Sequence, residues 1–286
     1  MIPTTPRAKW LETLPATIEE LAQRWSLTVG SPIDSDQATC SWVGYATRSD
    51  GAHVVLKIGM PHMEARDETA GLRFWNGHAM VRLLDFDVAL NAMLLERCEP
   101  GSSLRERSEA EQDVVIAGLL VRLWRPVSAT AEFRPLSEMI AVWRQEILIG
   151  EREWTDASLV REGIRVFDEL IQSTTTHVLL ATDLHAGNVL RAQREPWLAI
   201  DPKPFVGDPA YDATQHLLNC RARLRHDPRG TIERFAGLLD VDDERVRLWT
   251  FARVAAEPRV DWSDAELLDL ARILRPAPTS GATTSM

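Results

Sequence analysis

The chain has 286 residues, 45% of them apolar, which is ordinary for a chain that folds around a sizeable core in two lobes. Its 32 basic and 42 acidic residues leave a formal charge of −10, which argues against nonspecific binding to nucleic acid or an anionic membrane and suits a cationic small molecule. Cys40, Cys98 and Cys220 are scattered and odd in number, so neither a disulfide framework nor a zinc site is expected, and a reducing cytoplasm is the natural home.

Met1-Ile2-Pro3-Thr4-Thr5-Pro6 begins no signal peptide, no apolar run is long enough to span a bilayer, and no internal repeat or protein-partner motif is visible. Residues 41–47 and 53–58 flank the turn Ser49-Asp50-Gly51 and read as a hairpin, with Val55 and Lys57 on one strand face. Apolar spacing then predicts a helix over 62–75 that puts Glu64, Glu68, Leu72 and Trp75 on one side. Glu68 is the expected partner of Lys57, with Glu64 as the alternative one turn earlier. Strands follow at 80–86 and 92–96, ending at Cys98-Glu99-Pro100-Gly101, where Pro-Gly breaks the sheet and marks a hinge.

Beyond the hinge the pattern is mostly helical, with predicted helices at 108–124, 135–148, 156–173, 210–226, 242–254 and 263–273, several behind a capping Ser or Asp. Val189-Leu190 and Trp197-Leu198-Ala199-Ile200 read instead as two short buried strands joined by a polar turn. Residues 276–286 are low-complexity and expected to be disordered.

The chemistry concentrates around that strand pair. Thr182-Asp183-Leu184-His185-Ala186-Gly187-Asn188 precedes it, and Ile200-Asp201-Pro202-Lys203 ends it. A protein-kinase catalytic loop has a base Asp, then an Asn that ligates Mg²⁺, then an Asp that takes the other metal contact. Asp183, Asn188 and Asp201 fit those roles in that order. Asp183 can accept the proton of an attacking hydroxyl. Asn188 and Asp201 offer oxygen donors of the kind Mg²⁺ combines with phosphates and water. Asp and Asn also suit caps and turns, but three positions matched in order favour the catalytic reading. For His185 a structural hydrogen bond is expected, since Asp183 already supplies the base.

Asp183-Leu184-His185-Ala186-Gly187-Asn188, Asp201-Pro202-Lys203 and Val206-Gly207-Asp208-Pro209-Ala210-Tyr211-Asp212 resemble the aminoglycoside phosphotransferase superfamily, nearest to its streptomycin 6-kinase and hydroxyurea phosphotransferase branch. The likeness extends to Leu56-Lys57-Ile58-Gly59 and Leu94-Leu95-Glu96-Arg97 and covers roughly residues 40–220. It implies an α+β, protein-kinase-like two-lobed fold, with a nucleotide-binding lobe over 1–98 and a helical lobe over 99–275. It also implies transfer of the γ-phosphoryl group of ATP, with Mg²⁺, to a hydroxyl of an aminoglycoside such as streptomycin. The alternatives are hydroxyurea, a sugar or another metabolite as acceptor, or an inactive kinase-like binding module.

Under the same resemblance Val55 covers the adenine, Lys57 reaches the phosphates, backbone around Glu96 to Cys98 bonds the adenine edge, and Leu190 and Ile200 close the pocket. Residues 34–39 stand where the phosphate-covering loop should lie, without a GxGxxG motif. The family usually carries His-Gly before the catalytic Asp, and this chain has Ala181-Thr182. Asp212 is read as structural, and Lys203 as either a screen for phosphate charge or a partner of Asp208. Glu257, Asp261, Trp262, Asp264 and Glu266 form the densest cluster suited to a cationic acceptor.

Overall fold

The computed structural model describes residues 6–33, 40–60, 67–128 and 133–277. The chain divides into two compact units, Met1–Leu123 with Ala181–Pro204, and Trp124–Leu180 with Phe205–Met286. The division expected at residue 98 follows the hinge, and the two compact units do not coincide with it.

The first unit is built on an antiparallel sheet. Helix α1 (Pro6–Arg24) leads into β1 (Leu27–Pro32), β2 (Ser41–Arg48) and β3 (His53–Gly59), then α2 (Glu68–Trp75), β4 (Leu83–Asp87) and β5 (Ala92–Glu96). The strand order is β1-β2-β3-β5-β4. The β2–β3 turn closes because Gly51 takes φ +85°, a conformation glycine adopts without steric cost, while Asp50 Oδ1 accepts from Ala52 N at 3.0 Å. Strand alternation does the rest. Val54, Leu56 and Ile58 point into the core, where Leu56 and Ile58 meet Leu14 and Leu21 of α1 together with partly buried Trp10 and Ile18. Val55 and Lys57 take the other face, where Val43 and Met93 flank Lys57, and Tyr45 and Leu95 flank Val55.

A 3₁₀ turn (Leu104–Glu106) and α3 (Glu109–Leu123) complete the first pass through this unit. The chain then enters the second unit through α4 (Leu136–Ile149), α5 (Ala157–Ser173) and β6 (Val178–Leu180). It returns to the first unit for β7 (Val189–Arg191) and β8 (Trp197–Ala199). That hairpin joins the residues before β4: Val81 N donates to Ala199 O and Ala199 N to Ala79 O, each at 3.0 Å.

The second unit continues with β9 (Phe205–Gly207), which pairs with β6, and with α6 (Pro209–Asn219), α7 (Arg221–His226), α8 (Pro228–Leu239), α9 (Asp243–Ala256) and α10 (Ala265–Leu274). Aspartates cap four of these last helices through their side chains, Asp208, Asp227, Asp242 and Asp264. Trp143, Phe167, Trp249 and Tyr211 form a chain of tilted and edge-on ring contacts 5.2–6.2 Å apart through this unit's core. Gly163 lets α5 approach Ala255 and Ala256 of α9 closely; a Cβ there would stand 2.8 Å from Ala256.

Some expectations fall outside the described residues, and others need correcting. The helix foreseen over 62–75 is described from Glu68, and residues 62–66, with Glu64, lie outside the described residues, as do 34–39 and 278–286. The single helix foreseen over 210–226 is two, because Cys220 leaves helical geometry (φ −104°, ψ 43°) while Leu217, Cys220 and Leu224 keep an apolar spacing that conceals the break. α1, β1 and α8 were not foreseen. Among the described residues no helix is long and apolar enough to cross a membrane.

Candidate active site in the first unit

The site begins with a lysine that the sheet buries. Lys57 is 7% exposed and Glu68, the first residue of α2, is 4% exposed. Lys57 Nζ lies 2.6 Å from Glu68 Oε1 and 2.8 Å from Oε2, and it also pairs with Asp201. Burial opposes the lysine's charge, but two carboxylates outweigh it and hold the ammonium above its ordinary value. Burial raises Glu68, with Asp201 adding to the effect and Lys57 working against it.

The β7–β8 hairpin fixes the next residues. Its register pairs Val189 with Ala199, and Ile200 N donates to Asn188 O at 2.9 Å. Asn188 and Asp201 therefore emerge together at one end of the hairpin. Asp201 adopts φ +54°, a left-handed conformation that Asp tolerates better than most residues. Asn188 donates its side-chain N–H to Asp183 O at 3.0 Å, so its amide oxygen is the group left to act as an acceptor. A carboxylate and an amide oxygen at one hairpin end fit Mg²⁺ bound with a nucleotide, because Mg²⁺ takes few protein ligands and fills the rest of its octahedron with phosphates and water.

Asp183 pairs with Lys203. Lys203 was expected either to screen phosphate or to meet Asp208; Asp208 instead accepts from Trp249 Nε1 at 2.7 Å and pairs with Arg245 in the second unit. The backbone of Lys203 is docked on the same loop: its N–H donates to Ala181 O at 2.9 Å, and its carbonyl accepts from Thr182 Oγ1 at 2.5 Å. Thr182 sits at φ +51°, costly for a β-branched residue. The hydroxyl bond helps to hold it there. His185 Nδ1 accepts from Gly187 N at 3.0 Å, which puts the ring proton on Nε2, 4.0 Å from Asp183 Oδ1. Burial lowers its pKa, Asp183 opposing, so the imidazole is neutral near pH 7. This is the structural role expected of it.

Two contacts to the loop were not foreseen. Ser103 Oγ donates to Ala186 O at 3.1 Å. The Arg105 guanidinium lies where a side chain at residue 187 would be, 2.7 Å from a Cβ built on Gly187. Val43 was missed as well, and only strand register reveals that it shares the Lys57 face.

Among the remaining site residues, Val55, Leu190 and Ile200 are half-buried, and Cys98 is buried, its thiol pushed up to about 12 by burial. Glu96 donates its N–H to Arg82 O at 2.9 Å. Its carboxylate receives Arg194 Nε and Nη2, each at 2.9 Å. Burial disfavours that charge, yet Arg194 and the Arg82 N–H outweigh it and keep Glu96 below its ordinary value.

The acidic cluster late in the chain lies in the second unit and is engaged locally. Glu257 pairs with Arg253, Asp261 accepts from Ser263, Asp264 caps α10, Glu266 pairs with Arg225, and Trp262 packs on Trp154 beneath Arg259. These are local contacts at helix ends, some of them buried, with Trp262 7% and Arg253 6% exposed. Asp212, 1% exposed, accepts from Trp124 Nε1 at 3.0 Å, as a structural residue should.

Residues 24–264 match the family described as aminoglycoside/hydroxyurea antibiotic resistance kinase. The chain is 34% identical over 265 residues to streptomycin 6-kinase of Streptomyces glaucescens, covering 89% of this chain and 85% of that protein. It is 35% identical over 266 residues to hydroxyurea phosphotransferase of Kitasatospora aureofaciens, covering 91% and 76%. Among solved structures, the choline kinase LicA of Streptococcus pneumoniae in complex with AMP superposes with a TM-score of 0.64 at 14% identity, covering 90% of this chain and 95% of that one. That likeness establishes a protein-kinase-like α+β fold.

Proposed function

Because the chain belongs to the aminoglycoside/hydroxyurea antibiotic resistance kinases and is a phosphotransferase with an alcohol group as acceptor, we propose that it transfers the γ-phosphoryl group of ATP to a hydroxyl of streptomycin or a related aminocyclitol in the cytoplasm. The observation that carries the reading is the convergence, within one unit, of Lys57, Glu68, Asp201, Asn188 and Asp183 on the hairpin end and the loop before it.

In this reading Val55 covers the adenine, and Leu190 and Ile200 close the opposite side. The base edge is met by the carbonyl of Glu96, whose N–H is already engaged, and by the backbone at Cys98. Lys57, held by Glu68, binds phosphate oxygens. Asn188 and Asp201 would hold Mg²⁺, which supplies neutralisation of phosphate charge when bound. Asp183 orients the acceptor hydroxyl and takes its proton as the oxygen bonds to the γ-phosphorus. The bond from that phosphorus to the bridging oxygen then breaks, and its electron pair leaves with ADP. Hydroxyurea is the second acceptor, because a hydroxyurea phosphotransferase is as similar to this chain as the streptomycin kinase.

The test uses labelled ATP with streptomycin and hydroxyurea. Asp183→Asn is expected to bind Mg·ATP like the wild type and to transfer phosphate roughly 10²- to 10⁴-fold more slowly. Asp201→Ala is expected to lose Mg-dependent nucleotide binding in calorimetry. Wild-type transfer by Asp183→Asn would remove the base assignment, and unchanged Mg·ATP binding by Asp201→Ala would remove the metal assignment.

A further inference from the structure

We propose that Lys203 is a positioning residue for phosphoryl transfer, acting through Asp183; this rests on the reading of Asp183 as the base. Three consecutive residues of the catalytic loop hold this one lysine. Ala181 O accepts its N–H at 2.9 Å, Thr182 Oγ1 donates to its carbonyl at 2.5 Å, and Asp183 pairs with its ammonium through Oδ2. The backbone bonds matter because a lysine side chain has four rotatable bonds and can swing its ammonium through a wide volume unless its main chain is fixed. Docking its main chain on the loop fixes where the side chain starts, within reach of the base.

The consequence is geometric. An Asp carboxylate turns readily about its last torsion, and a general base must present one oxygen to the incoming hydroxyl within hydrogen-bond reach. The ammonium on Oδ2 fixes that rotation. The pair is only partly exposed, with side-chain exposures of 25% for Lys203 and 17% for Asp183, so solvent screens it less than a surface ion pair. Thr182 contributes by accepting a strained φ of +51° while its hydroxyl holds the lysine backbone.

A lysine that works through the base must lose its effect when the base is gone, whereas a merely structural lysine costs the same in either background. Lys203→Met is expected to lower kcat roughly 10- to 100-fold with KM for ATP within about threefold of wild type. Lys203→Arg should restore most of the loss. In the Asp183→Asn background, Lys203→Met should add less than about threefold. Thr182→Gly relieves the strained φ and removes the hydroxyl, so it should fold as well as wild type yet turn over several-fold more slowly. It also serves if Lys203→Met does not fold. Full additivity of the two substitutions, or wild-type kcat for both Lys203→Met and Thr182→Gly, would overturn the proposal. Asp183→Asn turning over like wild type would instead overturn the reading of the base itself.

Discussion

Lys57 shows how burial changes what a single substitution tests. From sequence, Lys57→Ala reads as a clean removal of a phosphate contact that leaves the fold intact. The structure buries Lys57 and Glu68 together, and taking one partner from a buried pair strands the other charge at about 3–5 kcal/mol. Lys57→Met is therefore expected to lose stability by that amount in urea unfolding, while Lys57→Met with Glu68→Gln recovers most of it, since the buried carboxylate is then gone and Asp201, the lysine's other partner, keeps 42% side-chain exposure. Equal stability of the single and double variants would show that the pair is not buried as described. The candidate residues could be singled out because their order along the chain is distinctive. Their partners could not: Lys203 meets Asp183, twenty positions earlier, and nothing in the local spacing distinguishes that from a pairing with Asp208. Thr182 was passed over because its positive φ is a property of the folded loop.

At the scale of elements, the hairpin of β7 and β8 is short, and three residues per strand would not hold the catalytic geometry alone. Arg194, in its turn, supplies the anchor. It grips Glu96 at the end of β5 with two bonds of 2.9 Å and donates to Gly77 O at 2.6 Å and Met80 O at 2.9 Å. Fork-to-carboxylate pairing of this kind is directional, and a lysine cannot reproduce it. Arg194→Lys is expected to cost about 2 kcal/mol of stability and to lower kcat without changing which acceptor is used; a variant as stable as wild type would make the anchor dispensable. The helices and strands nearest the site were readable from apolar spacing. The misses have physical causes. α1 carries Pro15 in its interior, which argues against a helix, although Trp10, Leu14, Ile18 and Leu21 keep helical spacing and find the sheet. β1 is a short edge strand ending in Pro32, with four of its six residues exposed, and so carries little alternation to detect.

At the scale of the molecule, the fold outlasts the identity of the acceptor: a choline kinase shares it at 14% identity, while streptomycin and hydroxyurea kinases stand within a percentage point of each other. One fold can carry different acceptor chemistries, because function lies in the site placed on it. Every carboxylate of the late acidic cluster has a local partner. The net charge of −10 remains as a property of the whole chain. A field of that sign draws a cationic acceptor toward the protein and does nothing for a neutral one, and it weakens as salt shortens the Debye length from about 30 Å at 0.01 M to about 8 Å at 0.15 M. ATP is itself anionic, so it must be kept saturating for the acceptor's behaviour to be seen. Under that condition kcat/KM for streptomycin, a cation, is expected to fall on the order of threefold or more between low and physiological ionic strength, while kcat/KM for neutral hydroxyurea stays flat. A flat profile for streptomycin would remove charge from the account of acceptor capture, and a higher kcat/KM for hydroxyurea at every salt concentration would transfer the acceptor assignment to it.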